Sequence, residues 1–77
     1  MTLVFLLIRA EHGKTGLVKA QLEKFNEIID INEVFGRYDI IARVETYDNK
    51  EFKKFTQNKI RIQEGIKSVE AVFAAED

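Results

Sequence analysis

The sequence has no cysteine and no proline, a single histidine and only four glycines among its 77 residues. Without cysteine no disulfide can form, and one histidine cannot complete a zinc site, so we expect no metal or other cofactor. A chain of this length buries only about 60% of its unfolded surface, and small domains usually gain stability from disulfides, metals or partner subunits. Self-association is therefore the remaining source of added stability.

Neither sign of charge is in excess, because twelve basic and thirteen acidic residues leave a net charge of -1 at pH 7. Non-specific nucleic-acid binding normally requires a basic excess or stripe, so we expect no direct DNA binding. No apolar run approaches the roughly 20 residues of a membrane-spanning helix. The apolar start, Met1–Ile8, lacks the basic region and cleavage site of a signal peptide. We therefore expect a cytoplasmic protein with no membrane partner.

The first half of the chain has the pattern of a strand, a helix and a second strand. Thr2–Arg9 is a near-continuous apolar run of strand length, typical of a strand buried on both faces. Thr15 is predicted to cap an amphipathic helix whose apolar residues recur at helical spacing. These apolar residues are Val18, Leu22, Phe25 and Ile29. Residues 29–35 then alternate as the second strand.

The second half begins with a hairpin. Gly36-Arg37 predicts a tight reversal from the second strand into a third, Tyr38–Thr46. Alternate residues of this third strand are apolar and are predicted to face the core, while their neighbours include charged groups. The predicted core residues of the third strand are Ile40, Ala42 and Val44.

A second helix and a fourth strand complete the pattern. Asp48, with Glu51 three residues later, has the form of a helix cap. Gly65 is predicted to end the helix, and Ile66–Ala74 to form the last strand. The acidic end, Glu76-Asp77, is expected to fray. The predicted buried stripe of the helix is Phe52, Phe55 and Ile62, with Ile60 beside it.

Residues 1–77 are therefore predicted to form one βαββαβ domain. Right-handed crossovers place both helices on one face of a four-stranded antiparallel sheet, which is a ferredoxin-like α+β fold. The other face stays uncovered although the first strand is apolar on both sides, and such a patch is typical of an interface. We predict a homodimer that packs sheet to sheet as a dimeric α+β barrel. The residues on the uncovered face are either Leu3, Phe5 and Leu7 or Val4, Leu6 and Ile8.

Three local motifs have simpler structural interpretations than the functions they resemble. Residues 13–15, Gly-Lys-Thr, match the end of a phosphate-binding loop, but the first glycine of that motif would fall on Ile8 inside a strand. His12 is alone, so it forms neither a metal set nor a convincing catalytic triad. Lysines and phenylalanines alternate in residues 50–55, as in single-strand binders, but helical spacing places the phenylalanines in the core. The RNA-recognition signature is also missing from the third strand.

Residues 35–40, Phe-Gly-Arg-Tyr-Asp-Ile, form the strongest local motif. A hairpin turn explains it structurally, because Gly36 supplies a positive φ and Asp39 bonds the backbone. The same turn offers N–H groups for a carboxylate and a carboxylate for an ammonium group, at the edge of the predicted interface. The residues alone leave the turn and the zwitterion-binding interpretations both open.

In order and over essentially the whole chain, these motifs resemble the ligand-binding domain of the Lrp/AsnC (feast/famine) transcription regulators, also called the RAM domain. The resemblance rests on the G-x-Y-D turn at 36–39, on Asp48 opening the next helix and its apolar core, and on Gly65-Ile66 before the last strand. It implies that dimers assemble further, commonly into octameric rings. It also implies that an amino acid or similar small effector binds between dimers.

The resemblance also implies which residues form the site. Backbone groups at the start of the turn would contact the ligand, Asp39 would lie nearest its amino group, and Tyr38 would shape the pocket. Family members usually carry hydroxyl residues near the start of the last strand, where this chain has Val69 and Ala71. The implied ligand-binding residues are Phe35, Gly36, Arg37, Tyr38 and Asp39, with Val69 and Ala71 lining the pocket.

Because the first strand begins at residue 2, we expect no helix-turn-helix domain. The leading hypothesis is a stand-alone, non-enzymatic sensing module that modulates transcription indirectly, for example by assembling with a full-length Lrp/AsnC regulator, or a small-molecule binding protein with another target. One alternative is a small dimeric α+β barrel enzyme, for which His12 is the candidate reactive residue. Another is a purely structural assembly partner without a ligand pocket between subunits.

Overall fold

The computed structural model describes residues 1–74, so the acidic end for which fraying is expected lies outside the described residues. The antiparallel sheet has the strand order β2-β3-β1-β4, which confirms the ferredoxin-like βαββαβ prediction. None of the helical segments in the described part is long and apolar enough to cross a bilayer. The elements are β1 (Thr2–Ala10), α1 (Thr15–Leu22), β2 (Ile28–Glu33), β3 (Ile40–Thr46), α2 (Asn49–Phe55), a π-helical segment (Thr56–Ile60) and β4 (Ile66–Phe73).

The core lies between one face of the sheet and the helices. The central strands β1 and β3 contribute alternate residues, and burial of each large aliphatic side chain contributes about 1.5–3 kcal/mol. Phe25 joins this core from the turn after α1, where its ring meets Phe55 edge to face at 5.5 Å between centroids. The buried core residues are Val4, Leu6, Ile8, Val18, Leu22, Ile40, Ala42, Val44, Phe52, Phe55, Ile60 and Val69.

The face of the sheet that the helices leave uncovered is apolar at its centre. The even-numbered residues of β1 from Val4 to Ile8 are buried in the core, so the odd-numbered residues point to the opposite face. Directly paired residues share a face, which places Ile41 of β3 and Val72 of β4 beside them. The sequence left two sets of β1 residues open, and the set of Leu3, Phe5 and Leu7 is therefore the one on the open face. We call Leu3, Phe5, Leu7, Ile41 and Val72 the open-face patch.

Helix α1 is shorter than predicted and lacks the predicted cap. Thr15 is its first residue, and Lys14 in front of it makes no side-chain cap hydrogen bond. The helix ends at Leu22 because the chain soon pairs with β3 along Ile28–Glu33, and extended pairing is incompatible with a continued helix. Ile29 consequently lies in β2 with 46% of its side-chain surface exposed, instead of on the buried helical stripe.

Helix α2 begins at the predicted cap but does not extend to the predicted glycine. The Asp48 side chain accepts a hydrogen bond from the backbone N–H of Glu51 at 2.8 Å, which confirms the cap. The helical backbone ends at Ile60, and Gly65 lies in the turn that leads into β4. Gly65 has a φ of 91°, a left-handed conformation that glycine adopts without steric cost.

The buried stripe of α2 shifts where the helix changes type. The chain continues from Thr56 as a π-helix, whose hydrogen bonds span five residues; the Arg61 N–H, for example, donates to the Thr56 carbonyl at 2.9 Å. Five-residue spacing brings Ile60 under Phe55. Ile60 is fully buried and Ile62 is 70% exposed, so the prediction that Ile62 belongs to the stripe is wrong.

The strands also differ from prediction at their ends. β2 stops at Glu33 and β3 starts at Ile40, so the predicted tight reversal is a wider loop of residues 34–39. A backbone hydrogen bond of 2.9 Å from the Val34 N–H to the Asp39 carbonyl closes this loop next to the last pair of the ladder, Glu33 with Ile40. β4 ends at Phe73, one residue earlier than predicted.

Replacing Gly65 by alanine should destabilise the fold, whereas the same change at Gly16 should not. A Cβ on Gly65 would lie 2.9 Å from the Lys14 Cβ and 3.1 Å from the Val18 Cγ2, and the positive φ adds strain. We expect Gly65→Ala to lower the free energy of unfolding in urea by roughly 1–3 kcal/mol. Gly16 is helical with open space around it, so we expect Gly16→Ala to raise the free energy of unfolding by at most about 1 kcal/mol. Equal stability of the two variants would contradict this packing.

Candidate functional site

The candidate site is built on the loop of residues 34–39, which lies beside the end of β1. The Asp39 N–H donates to the Ile8 carbonyl at 2.9 Å, so the C-terminal side of the loop is fixed to β1. At the tip, Gly36 has a φ of 125°, in the range that favours glycine. The loop is therefore held at its base, while its tip projects into solvent.

The tip presents three kinds of group to solvent. Phe35 is fully exposed, and Gly36 and Arg37 are exposed beside it. A phenylalanine ring in water loses the free energy that its burial would contribute. An aromatic ring, peptide groups and a guanidinium are thus available together for contact with another molecule.

Asp39 is half-buried, and part of its carboxylate is already engaged. Its Oδ2 accepts a hydrogen bond from the backbone N–H of Ala10 at 2.8 Å. The pairing of β1 with β4 changes register between Arg9 and Ala10, and such an irregularity leaves backbone groups outside the ladder. Asp39 satisfies one of these groups and fastens the loop to β1. Within residues 1–74, its Oδ1 atom makes no hydrogen bond.

Tyr38 reaches from the loop to β4. Its hydroxyl donates to Glu70 Oε2 at 2.6 Å. Glu70 is paired with Leu7, so it lies on the open face next to the open-face patch. The hydrogen bond to this carboxylate raises the pKa of Tyr38 above its ordinary value of 10.0, with a smaller opposing effect from the Arg37 and Arg9 guanidinium groups. The phenol therefore stays protonated, and can donate to Glu70, to a higher pH than an ordinary tyrosine.

The remaining two predicted site residues lie on the other side of the sheet from Glu70. Val69 and Ala71 pair with Ile8 and Leu6, and their side chains face the core. Glu70 between them faces the loop, because successive strand residues point to opposite faces. Sequence reasoning missed Glu70 and also Arg9, which shares the open face. Alternation puts Arg9 on the same face as Leu7 and puts Glu70 on the face opposite Val69, but only the strand pairing and the buried residues show that this is the open face.

A concave surface lies at the opposite end of β3 from the loop of residues 34–39. Within it, Lys54 and Glu51 are 3.9 Å apart as an exposed ion pair, which contributes little to stability. No group of three or more potential metal-binding side chains occurs in the part of the chain that the structure describes. The concave surface at this end of β3 has a volume of about 510 Å³ and is lined by Glu27, Glu45, Thr46, Tyr47, Glu51, Lys54, Phe55, Asn58 and Lys59.

Comparisons with known proteins point to one family. The family model described as the Lrp/AsnC ligand binding domain matches residues 3–77. The HTH-type transcriptional regulator FL11 of Pyrococcus furiosus is 34% identical over 53 residues, which cover 69% of this chain and 35% of the regulator. The chain thus spans about a third of the length of this curated relative.

Solved structures with the same fold include short chains and longer regulators. The crystal structure of FFRP-DM1 has a TM-score of 0.93 and 31% identity, covering 97% of this chain and 100% of that chain. A transcriptional regulator from Neisseria meningitidis, solved as a complex with L-Met, has a TM-score of 0.89. It is 14% identical and covers 99% of this chain and 51% of that chain, so this likeness shows the fold.

The matched family is a regulatory ligand-binding domain and not an enzyme family, and the curated relatives are named transcriptional regulators. The alternative of a dimeric α+β barrel enzyme is therefore wrong. His12, its candidate reactive residue, is exposed in the turn between β1 and α1.

Glu70→Gln should lower the pKa of Tyr38 towards its ordinary value of 10.0, because it removes the charge on the acceptor. The absorbance of tyrosinate during an alkaline titration measures this pKa. The chain has two tyrosines, so the titration is done in a Tyr47→Phe background, in which Tyr38 gives the whole signal. Ser68→Ala, on the same face of β4, is the matched control and should leave the titration unchanged. An unchanged midpoint in Glu70→Gln would show that the hydrogen bond is absent in solution.

Proposed function

Because this chain belongs to the Lrp/AsnC ligand-binding domain family, we propose that it is an effector-sensing module that binds an amino acid or similar small molecule between subunits of a homo-oligomer. The observation that carries the proposal is the loop of residues 34–39. Asp39 and the backbone fasten its base to β1, while its tip and Tyr38 remain accessible beside the open-face patch. A rigid base and an accessible tip are what a binding loop requires.

A second copy of the chain is the proposed cover of the open-face patch. Apolar side chains lie at the centre of this face with no helix over them, and covering them contributes about 25 cal/mol per Å². Arg43 borders the patch beside Phe5, 4.0 Å from Asp30, and its Nε is buried without a partner within the described residues. In a dimer with a two-fold axis, the same patch on each subunit would form the interface.

The exposed loop tip supports the proposal that dimers assemble further. The open-face patch does not include Phe35, which stays fully exposed in the single chain. Contact with a neighbouring dimer, or with an effector held between dimers, would remove this ring from water. An octameric ring, which the family resemblance implies, would provide such contacts, and we propose an assembly of that kind for this chain.

The loop offers groups that suit a zwitterion. Peptide N–H groups near Gly36 can receive a carboxylate, and the free Oδ1 of Asp39 can receive an ammonium group. The N. meningitidis regulator with this fold is solved with L-Met, which makes amino acids the first class of effector to test. We further propose that the module acts in the cytoplasm, through a full-length Lrp/AsnC regulator and without touching DNA.

A charge placed in the open-face patch should prevent dimerisation. Phe5→Glu would bury a carboxylate against the second subunit, which costs several kcal/mol. We expect light scattering to give the mass of a monomer for this variant. Ile62→Glu is the matched control, because Ile62 is exposed outside the patch, and it should keep the wild-type mass. Circular dichroism establishes that both are folded. A Phe5→Glu protein as large as the wild type would exclude the patch as the dimer interface.

Asp39→Asn should weaken binding of an amino acid found by titration calorimetry against the twenty standard ones. Asparagine keeps an oxygen for the Ala10 N–H but loses the charge that would pair with ammonium, so we expect roughly a tenfold or greater loss of affinity. Asp39→Ala also loses the bond to Ala10 and should be less stable by about 1–3 kcal/mol, which makes it the poorer test.

Two calorimetric results would count against this proposal. If no amino acid binds a wild-type protein of full oligomeric mass, the amino-acid effector is excluded. If Asp39→Asn binds as tightly as the wild type, Asp39 does not hold the ammonium group.

A further inference from the structure

The tip of the 34–39 loop carries the most exposed large apolar side chain in the part of the chain that the structure describes. Phe35 is fully exposed, whereas the next most exposed aromatic ring, that of Tyr47, keeps 80% of its surface in water. Gly36 and Arg37 follow Phe35 and are exposed as well. Aromatic and arginine side chains are enriched where proteins contact one another, so this tip has the composition of an anchor for another molecule.

The concave surface at the far end of β3, which we call the β3-end cleft, can receive such an anchor. Its volume of about 510 Å³ exceeds the roughly 150 Å³ of a cavity that holds benzene. Tyr47 and Phe55 are among its lining residues, so a ring placed in the cleft would meet two other aromatic rings. Asn58 and Lys59 line it from the π-helical segment, a kind of helix that is frequent at functional sites.

The cleft and the loop tip carry opposite net charges. Three carboxylates and two ammonium groups line the cleft, and the Glu51–Lys54 ion pair uses one of each. Two carboxylates and one ammonium group remain. Arg37 is the charged residue of the tip, whereas Asp39 lies at the base of the loop and is bonded to the Ala10 N–H. An attraction between exposed charges is weak, but here its sign favours contact between the tip and the cleft.

The loop and the cleft of one chain lie too far apart to fill each other. β3 separates them, because it begins at Ile40 beside the loop and ends at Thr46, which lines the cleft. At roughly 3.3 Å per residue this strand is about 20 Å long. Phe35 can therefore reach such a cleft only on another copy of the chain. A contact between two different surfaces is heterologous, and heterologous contacts generate rings when the rotation closes.

We propose that Phe35 of one dimer inserts into the β3-end cleft of a neighbouring dimer, with Arg37 facing the carboxylates of that cleft. This inference rests on the proposed assembly of dimers and names the two surfaces that meet. Removal of the Phe35 ring from water, against Tyr47 and Phe55, supplies most of the favourable free energy of the contact.

Light scattering on variants of each surface tests the inference. Phe35→Ala removes a ring that makes no contribution to the core, and Asn58→Arg fills the cleft from an exposed position and places a cation opposite Arg37. We expect each variant to have the mass of a dimer, about twofold or more below the wild type. Ile62→Ala removes an exposed apolar side chain outside both surfaces and should keep the wild-type mass. Circular dichroism establishes that all three are folded.

A mixture of the two variants shows whether the contact is heterologous. Phe35→Ala keeps an intact cleft and Asn58→Arg keeps an intact loop tip, so each protein supplies what the other lacks. We expect the mixture to contain species heavier than a dimer, although neither variant forms them alone. If the tips met each other, or if the cleft received only a part of some other molecule, mixing would restore nothing, and that result would overturn the inference.

The remaining outcomes separate failure of the inference from failure of the proposed assembly. If either variant keeps the wild-type mass, its surface is not part of the contact, although assembly beyond the dimer stands. If the wild type itself has the mass of a dimer, the proposed further assembly fails together with the inference. If Ile62→Ala lowers the mass as much as Phe35→Ala, the association is non-specific and the assignment of the two surfaces is wrong.

Discussion

Two helices cover only one face of the four-stranded sheet, so the apolar side chains on the other face of β1 stay in water unless a second molecule covers them. β1 lies between β3 and β4, so its outward-facing apolar side chains lie at the centre of the uncovered face. A domain this small also gains little stability from its single core. The same surface therefore connects the stability of the fold with the assembly proposed for it.

The loop of residues 34–39, the candidate site, depends on the position of β1 as well. Asp39 fastens the loop to the backbone of β1 at Ile8 and Ala10, and Tyr38 crosses to β4 to reach Glu70. Groups from the loop and from two strands are thereby fixed close to one another, beside the open-face patch. In the proposed assembly, an effector at the loop would lie beside the surface that a second subunit covers, so effector binding and assembly would involve neighbouring groups.

The structure deviates from the predicted elements where a local periodicity fits more than one structure. The apolar spacing of Phe25 and Ile29 continues the helical period, but pairing of β2 with β3 takes this segment into a turn and a strand. The spacing of Ile62 fits an α-helix, but the π-helical segment moves Ile60 into its place. In the first case, contacts distant in sequence decided between two structures that fit the local periodicity; in the second, the change of helix type decided which residue is buried.

The sequence by itself determined the order of elements, the uncovered apolar face and the Asp48 cap, because periodicity and capping are local properties. Only the tertiary structure decided which residues of β1 face outward, since a shift of one residue in register exchanges the two faces. It also decided that Glu70 and Arg9, and not the side chains of Val69 and Ala71, share the open face with Tyr38. These residues are far apart in sequence, and strand pairing alone brings them together.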